Sequence, residues 1–356
     1  MSGTNIKPDY SLTGEAAQRA IDEGLDKIRW YRTDVDKKAL KSLMERKDGP
    51  AIRDTAVWFL LLGISALAAI ELWGTIWCVP FFFIYGVLYG SAGDSRWHEC
   101  GHGTAFKTQW MNKSIYHIAC FMMMRNPVVW RWSHTRHHAD TIVVGRDPEI
   151  ALMRPADLMR IALNFFGIID TINGIKDMFR IGFKGLSEAE QTYVPEGQAK
   201  SAILTARIWI GIYLVIFIGA VEMGSILPFM LIGLPRLYGA WHHVLTGLLQ
   251  HGGLAENVTD HRANTRTVLM NPISRFIYWN MNYHVEHHMF LMVPYHALPQ
   301  LHELIKHDLP APNPSILDGY REMWPVLKKQ LQNVNFYLIP DLPENAKPYS
   351  CKFPQM

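Results

Sequence analysis

The sequence predicts an all-α membrane protein: four transmembrane helices as two hairpins, under a cytosolic helical cap that carries clustered histidines. Three observations predict it. Apolar stretches come in two pairs, at about residues 55–73 with 75–97 and 203–221 with 226–250, and a bilayer crossing needs roughly 20 mostly apolar residues. Lys and Arg avoid the short breaks inside both pairs: all but two of the 35 lie in residues 1–54, 93–202 and 248–356. The positive-inside rule assigns those segments, and with them both termini, to the cytoplasm. Three histidine clusters occupy the same basic segments: His98 with His102, then His134, His137 and His138, then His284, His287 and His288.

Composition agrees with a few spans plus a large polar part. The 356 residues are 49% hydrophobic and 12% aromatic, with a mean hydropathy of zero. A net charge of +3 without a basic run argues against a nucleic-acid partner. Cys78, Cys100, Cys120 and Cys351 form no C-x2-C pair, which argues against a disulfide framework or an iron–sulfur site. Met1 to Tyr10 lacks a charged start followed by an apolar core, so no cleaved signal peptide is expected.

Residues 1–54 read as a cytosolic N-terminal segment with surface helices near 14–30 and 35–47, closed by Pro50. Residues 55–310 form the membrane domain. Its hairpins turn at Glu71-Leu72-Trp73-Gly74 and Glu222-Met223-Gly224-Ser225. From Glu71 to His98, and from Glu222 to His251, a continuous helix would run about 40 Å, beyond a hydrocarbon core of about 30 Å. The second helix of each hairpin is therefore expected to project from the membrane and carry histidines on its cytosolic end. Arg207 snorkels, whereas Arg236 lies deeper and needs a partner or a polar cavity. Leu158–Phe183 is apolar but broken by charges, which favours helices lying in the interface over a third span. Residues 295–309 and 315–332 read as cytosolic helices, the second within a cytosolic C-terminal segment, 311–356, that ends in a Pro-rich surface tail.

The clusters read H-x3-H, H-x2-H-H and H-x2-H-H. Residues three and four apart share a helix face, so each cluster can aim imidazoles at one point. Imidazole suits iron and zinc, and eight imidazoles exceed the four ligands of one tetrahedral zinc. Two metal ions fit better. His98-Glu99-Cys100-Gly101-His102 alone also matches the H-E-x-x-H zinc protease signature, with Glu99 as general base, but a zinc-dependent membrane protease would leave six cluster histidines unemployed. A non-enzymatic metal carrier would need ionisable groups at mid-membrane, whereas these lie at one surface.

H-E-C-G-H, H-x-x-H-H and H-V-E-H-H, in this order around two hairpins, resemble the three histidine boxes of the membrane fatty-acid desaturase and hydroxylase superfamily, over roughly residues 55–310. The wording around the boxes (Trp97 to Thr104 and Asp260 to Thr267) is similar to the bacterial branch of rhizobitoxine-type desaturases and rhizopine-type oxygenases. The resemblance implies a multi-pass protein of a bacterial inner membrane. It also implies a non-haem di-iron centre (Fe2+/Fe3+) with dioxygen as co-substrate, acting on unactivated C–H bonds of a lipid or acyl-like substrate to give an alkene or an alcohol. The implied ligands are His98, His102, His134, His137, His138, His284, His287 and His288. A further ligand is expected near the end of the fourth span; His251 is the candidate, with His261, His242 and His243 as runners-up. For His117, His296, His302 and His307 a packing or surface role is expected. Asp94, Glu99, Asp140, Asp260 and Glu286 read as carboxylates that orient imidazole N–H groups. Trp279 and Tyr283 read as substrate-channel residues, and Trp97, Trp130, Trp132 and Trp241 as an aromatic belt. The chain has no dinucleotide-binding glycine turn and no cysteine cluster, so electrons are expected from a separate carrier, a ferredoxin with its reductase.

Overall fold

The computed structural model describes residues 8–355, in which every regular element is helical. The reading of Met1 to Tyr10 falls largely outside the described residues. Two helices, Asp48–Glu71 and Ala199–Glu222, run for 24 residues each. They are apolar nearly all round and leave Leu60, Ile64, Leu67, Leu204, Leu214 and Val215 exposed. A helix apolar on every side is stable only against other apolar matter, and these two are long and apolar enough to cross a membrane.

Their hairpin partners differ from the expected continuous helices. The second stretch divides into Cys78–Gly90 and Ala92–His102. The fourth divides into Leu227–Leu231, Pro235–Gly239 and Trp241–His251. The cause is tertiary. A Cβ added at Gly239 would stand 1.8 Å from the Gly86 carbonyl oxygen, and one at Gly90 would stand 2.7 Å from that of Pro235. The two backbones touch where no side chain fits. Each break frees backbone groups that need partners, and each supplies the other. Ser91 Oγ donates to the Gly239 carbonyl at 2.5 Å and accepts from the His243 N–H at 3.0 Å. Arg236, fully buried, donates to the freed Gly90 carbonyl at 2.8 Å, and its other Nη lies 3.5 Å from Asp170. The deep arginine thus has its partner in a helix break.

Asp170 comes from the segment between the hairpins. Leu158–Phe165 and Ile168–Lys184 meet there at an 82° bend. Gly167 forms the corner with φ +63°, and a Cβ on it would lie 2.1 Å from the Arg236 carbonyl oxygen. Only glycine suits both conditions.

The helices outside the apolar stretches come out shorter than the sequence suggests: Glu15–Asp22, Lys37–Leu43, Leu298–Ile305 and Ile316–Gln330. A core of Trp279, Met281, Val285, Tyr295, Leu298 and Leu301 sets the short helix His284–Met289 against Ala92–His102 and Pro127–Ala139.

Candidate metal centre

Nine buried or half-buried histidines converge in two groups. The first holds His98, His102, His134, His138 and His287; the second holds His137, His251, His284 and His288. Within each, the nearest ring nitrogens all lie within 4.8 Å of one another.

Helix geometry explains the division. Residues i and i+4 project about 40° apart around the axis, whereas i+3 and i+4 are about 100° apart. In Pro127–Ala139 the i, i+4 pair His134 and His138 faces the first group, which turns His137 to the second. In His284–Met289 the pair His284 and His288 faces the second group, which turns His287 to the first. His98 and His102, another i, i+4 pair, complete the first group. His251, the last residue of Trp241–His251, supplies the fourth nitrogen of the second.

The ring nitrogens stand at distances that a shared proton or a shared cation would bridge. His134 Nε2 lies 3.2 Å from His98 Nε2, 3.1 Å from His102 Nε2 and 3.0 Å from His138 Nε2, and His98 Nε2 lies 2.8 Å from His287 Nε2. His134 Nδ1 faces the Glu149 carboxylate at 2.9 Å. Its proton therefore belongs on Nδ1 and its Nε2 lone pair points into the cluster. His137 Nδ1 likewise donates to Asp147 at 2.8 Å, and His251 Nδ1 to the Asn264 carbonyl at 2.8 Å, which leaves His251 Nε2 buried without a partner. Lone pairs converging at this spacing call for cations between them, and the donor set fits two nitrogen-ligated ions.

Burial keeps the rings neutral. It pushes His102 down to about 3, aided by His137, and His251 down to about 3 for the same reasons. His137 differs: burial opposes its charge, but the Asp147 carboxylate outweighs that and holds its pKa above the usual value.

The sequence reading did not single out Asp147 or Glu149. Both lie beyond a chain reversal at Ile142, which has φ +56°. A β-branched residue rarely adopts that conformation, and here Asp147 also accepts the Ile142 N–H at 2.8 Å. One carboxylate thus fixes both the turn and the ring of His137. The carboxylates that were singled out sit elsewhere. Asp94 accepts from Trp97 at 3.0 Å, and Asp140 pairs with Arg136 and Arg146. Asp260 pairs with Arg262, and Glu286 with His302 and Thr267. Glu99 accepts from Thr104 at 2.8 Å and from the Tyr295 N–H at 3.0 Å. None of the five is bonded to an imidazole of the two groups. Glu99 is therefore out of place for a protease base.

Of the runners-up, His261 stacks on Trp30 at 4.0 Å and lies 5.1 Å from the His288 ring. His242 meets Ser274 at 3.2 Å, and His243 lies 3.9 Å from Asp170. A cavity of about 680 Å³ adjoins the centre and reaches His98, His134, His137, His251 and His284. Trp97 and Trp130 line it, whereas Trp279 and Tyr283 do not. Trp279 instead stacks on Tyr295 at 4.2 Å.

A family model for fatty acid desaturases matches residues 74–320, more than half of the chain and all nine histidines. Among curated proteins, a Delta(12)-oleate desaturase of Trichosanthes kirilowii is 23% identical over 294 residues, which cover 70% of this chain and 74% of its own.

Proposed function

The chain belongs to the fatty acid desaturase family and is a desaturase-like oxidoreductase, and from that premise we propose an integral membrane, oxygen-dependent di-iron desaturase or hydroxylase. The observation that carries this reading is the convergence of nine histidines in groups of five and four. His98, His102, His134, His138 and His287 would hold one iron, and His137, His251, His284 and His288 the other. When bound, the irons supply the dioxygen chemistry that takes hydrogen from an unactivated C–H bond. The protein's own part is placement. Asp147 and Glu149 fix ring tautomers, and buried side chains around the centre keep water away. The adjoining cavity brings one carbon to the metals.

The rest of the reading concerns setting. Four spans put both termini and the histidines in the cytoplasm, with residues 1–54 and 311–356 as cytosolic flanks of the membrane domain. The broken second and fourth stretches cross by contact with each other and with the two long helices. The bent 158–184 segment lies in the interface. A bacterial inner membrane, kinship with the rhizobitoxine-type branch, and electrons from a ferredoxin and its reductase complete it. Neither the zinc protease nor the metal carrier is favoured.

The test compares cells with the protein and cells with its His137→Ala variant, using oxygen uptake and mass spectrometry of all extracts. A new alkene or alcohol, formed only in air and only with the wild-type chain, is expected. Equal products from both chains would contradict the reading.

A further inference from the structure

Among the described residues, two aromatic side chains outside the nine histidines touch their rings. Trp97 meets the His134 ring edge-on at 5.1 Å and leads inward, to the charged cavity wall that Asp94, Arg125, Asp170 and His243 share. His261 lies 5.1 Å from the His288 ring and leads outward. It is only 1% exposed, and the half-buried Trp30 stacks on it at 4.0 Å with the planes 11° apart. Neither Trp30 nor His261 lines the cavity, so this path to the surface stays clear of the space left for a substrate.

The Trp30 indole reaches both groups of histidines. Its ring stacks on His261 beside His288, of the second group. Its Nε1–H donates at 2.9 Å to the carbonyl of Ala139, the residue after His138 of the first group. The segment around it is pinned. The Tyr31 N–H donates to the Thr259 carbonyl at 3.1 Å, the Tyr31 and Thr33 hydroxyls each donate to Asp308 at 2.6 Å, and the Arg262 guanidinium lies over the Tyr31 ring at 3.8 Å. Electron tunnelling slows steeply with distance and with gaps between packed atoms. A fixed stack of indole on imidazole is therefore a short crossing from the surface to the metal ligands.

The surface around that stack is cationic. Residues 27–32 include Lys27, Arg29 and Arg32 and no acid. All three are exposed, and none has an ion pair among the described residues. One acid, Asp26, precedes them; of those that follow, Asp34 pairs with Lys347 and Asp36 accepts the Ala39 N–H at 2.8 Å. Free cations ringing an aromatic side chain favour encounter with an acidic protein face.

We propose that Trp30 is the point of electron entry. A small acidic carrier of the iron–sulfur type docks on Lys27, Arg29 and Arg32, and its electron crosses Trp30 and His261 to the second histidine group, or the Ala139 carbonyl to the first. Each encounter moves one electron: the carrier's reduced cluster is oxidised and one ferric ion becomes ferrous. No bond forms or breaks, and the indole is left unchanged. The inference rests on the proposed di-iron reading and assigns the docking surface of its electron donor.

Two measurements on the full chain in detergent test it. In the first, the ferric iron-loaded protein is mixed without oxygen with reduced plant-type ferredoxin or with dithionite, and the electron transfer is timed by stopped-flow absorbance. Trp30→Leu is expected to slow transfer from saturating ferredoxin several-fold, to retain both irons, and to match the wild type with dithionite, which is small enough to reach the centre by other paths. Trp30→Phe, which keeps a ring, is expected to recover most of the rate. An unchanged ferredoxin rate in Trp30→Leu overturns the proposal, and so does an equal loss with dithionite. In the second, ferredoxin is titrated calorimetrically into zinc-loaded protein, with no redox step. Arg29→Glu combined with Arg32→Glu is expected to weaken docking at least about tenfold at low ionic strength, because like charges brought together cost that much or more, and the gap is expected to close at high salt. Docking unaffected by the double variant, or no docking by the wild type, overturns the proposal. If neither reductant transfers an electron to the wild-type chain, the di-iron reading fails instead, and the calorimetry still decides the docking surface.

Discussion

His137 and Asp147 form the pair on which the second metal group turns. The carboxylate holds the imidazole proton on Nδ1 at 2.8 Å, and loss of such a partner typically costs 10–100-fold in metal affinity. Asp147→Asn is expected to weaken one of two zinc-binding steps by about that factor in titrations of metal-free protein, leaving the other unchanged. Equal weakening of both would mean that the groups are not separate sites. Glu99 supplies a second test at this scale. Burial pushes its carboxyl up to about 7 from 4.5, against hydrogen bonds from Thr104 and Tyr295 that lower it. Between those pH values the folded state binds more protons than the unfolded one, so stability falls as pH rises through that window. Glu99→Gln removes the penalty and is expected to melt a few degrees higher than the wild type at pH 8, with little difference at pH 4.5, and to keep its metals. The i, i+4 pairs His98 with His102, His134 with His138 and His284 with His288 were readable from spacing, because helix geometry sets them locally; that His137 and His287 leave their own clusters for the opposite group was not, because it depends on how separate helices meet. Asp147 and Glu149 were not, because a left-handed Ile142 brings them back and nothing in that residue type announces it.

The helices show the same division between local and tertiary causes. Asp48–Glu71 and Ala199–Glu222 were visible as long apolar runs because length and all-round apolarity are local properties of a helix. The second and fourth stretches looked equally continuous, yet Gly86, Gly90 and Gly239 let two backbones meet, and Ser91 and Arg236 bind the carbonyls freed there. Those residues were in view without their partners, which lie some 150 positions away in the chain. Gly239→Ala places a methyl group against the Gly86 backbone, which cannot give way as a side chain can. A loss of more than about 3 kcal/mol is expected, at the upper end of overpacking costs, and would appear as lost folded yield in detergent. Gly219, in the Ala199–Glu222 helix, has open space where its Cβ would be. Gly219→Ala is expected to melt no lower than the wild type, since alanine favours a helix. If both variants behave alike, the backbone contact is not what shapes the second and fourth stretches.

For the whole molecule, the charge pattern predicts a sidedness. The breaks at Glu71 and Glu222 carry no Lys or Arg, while the histidine-bearing segments are basic. Cysteines placed as Gly74→Cys and Gly224→Cys, in a chain with Cys351 replaced by Ser, are expected to react with an impermeant reagent only from the non-cytoplasmic side. Labelling of both from the cytoplasm would reverse the topology. The apolar girdle and the positive flanks were legible because both are averages over many residues. The charged cavity wall was not, since Asp94, Arg125, Asp170 and His243 are scattered through the chain and meet only when folded. The centre itself is tested most directly by counting metal. The five-and-four grouping predicts two irons per chain in the purified wild-type protein and one in the His251→Gln variant, with both chains equally folded. One iron in the wild type, or two in His251→Gln, would contradict it.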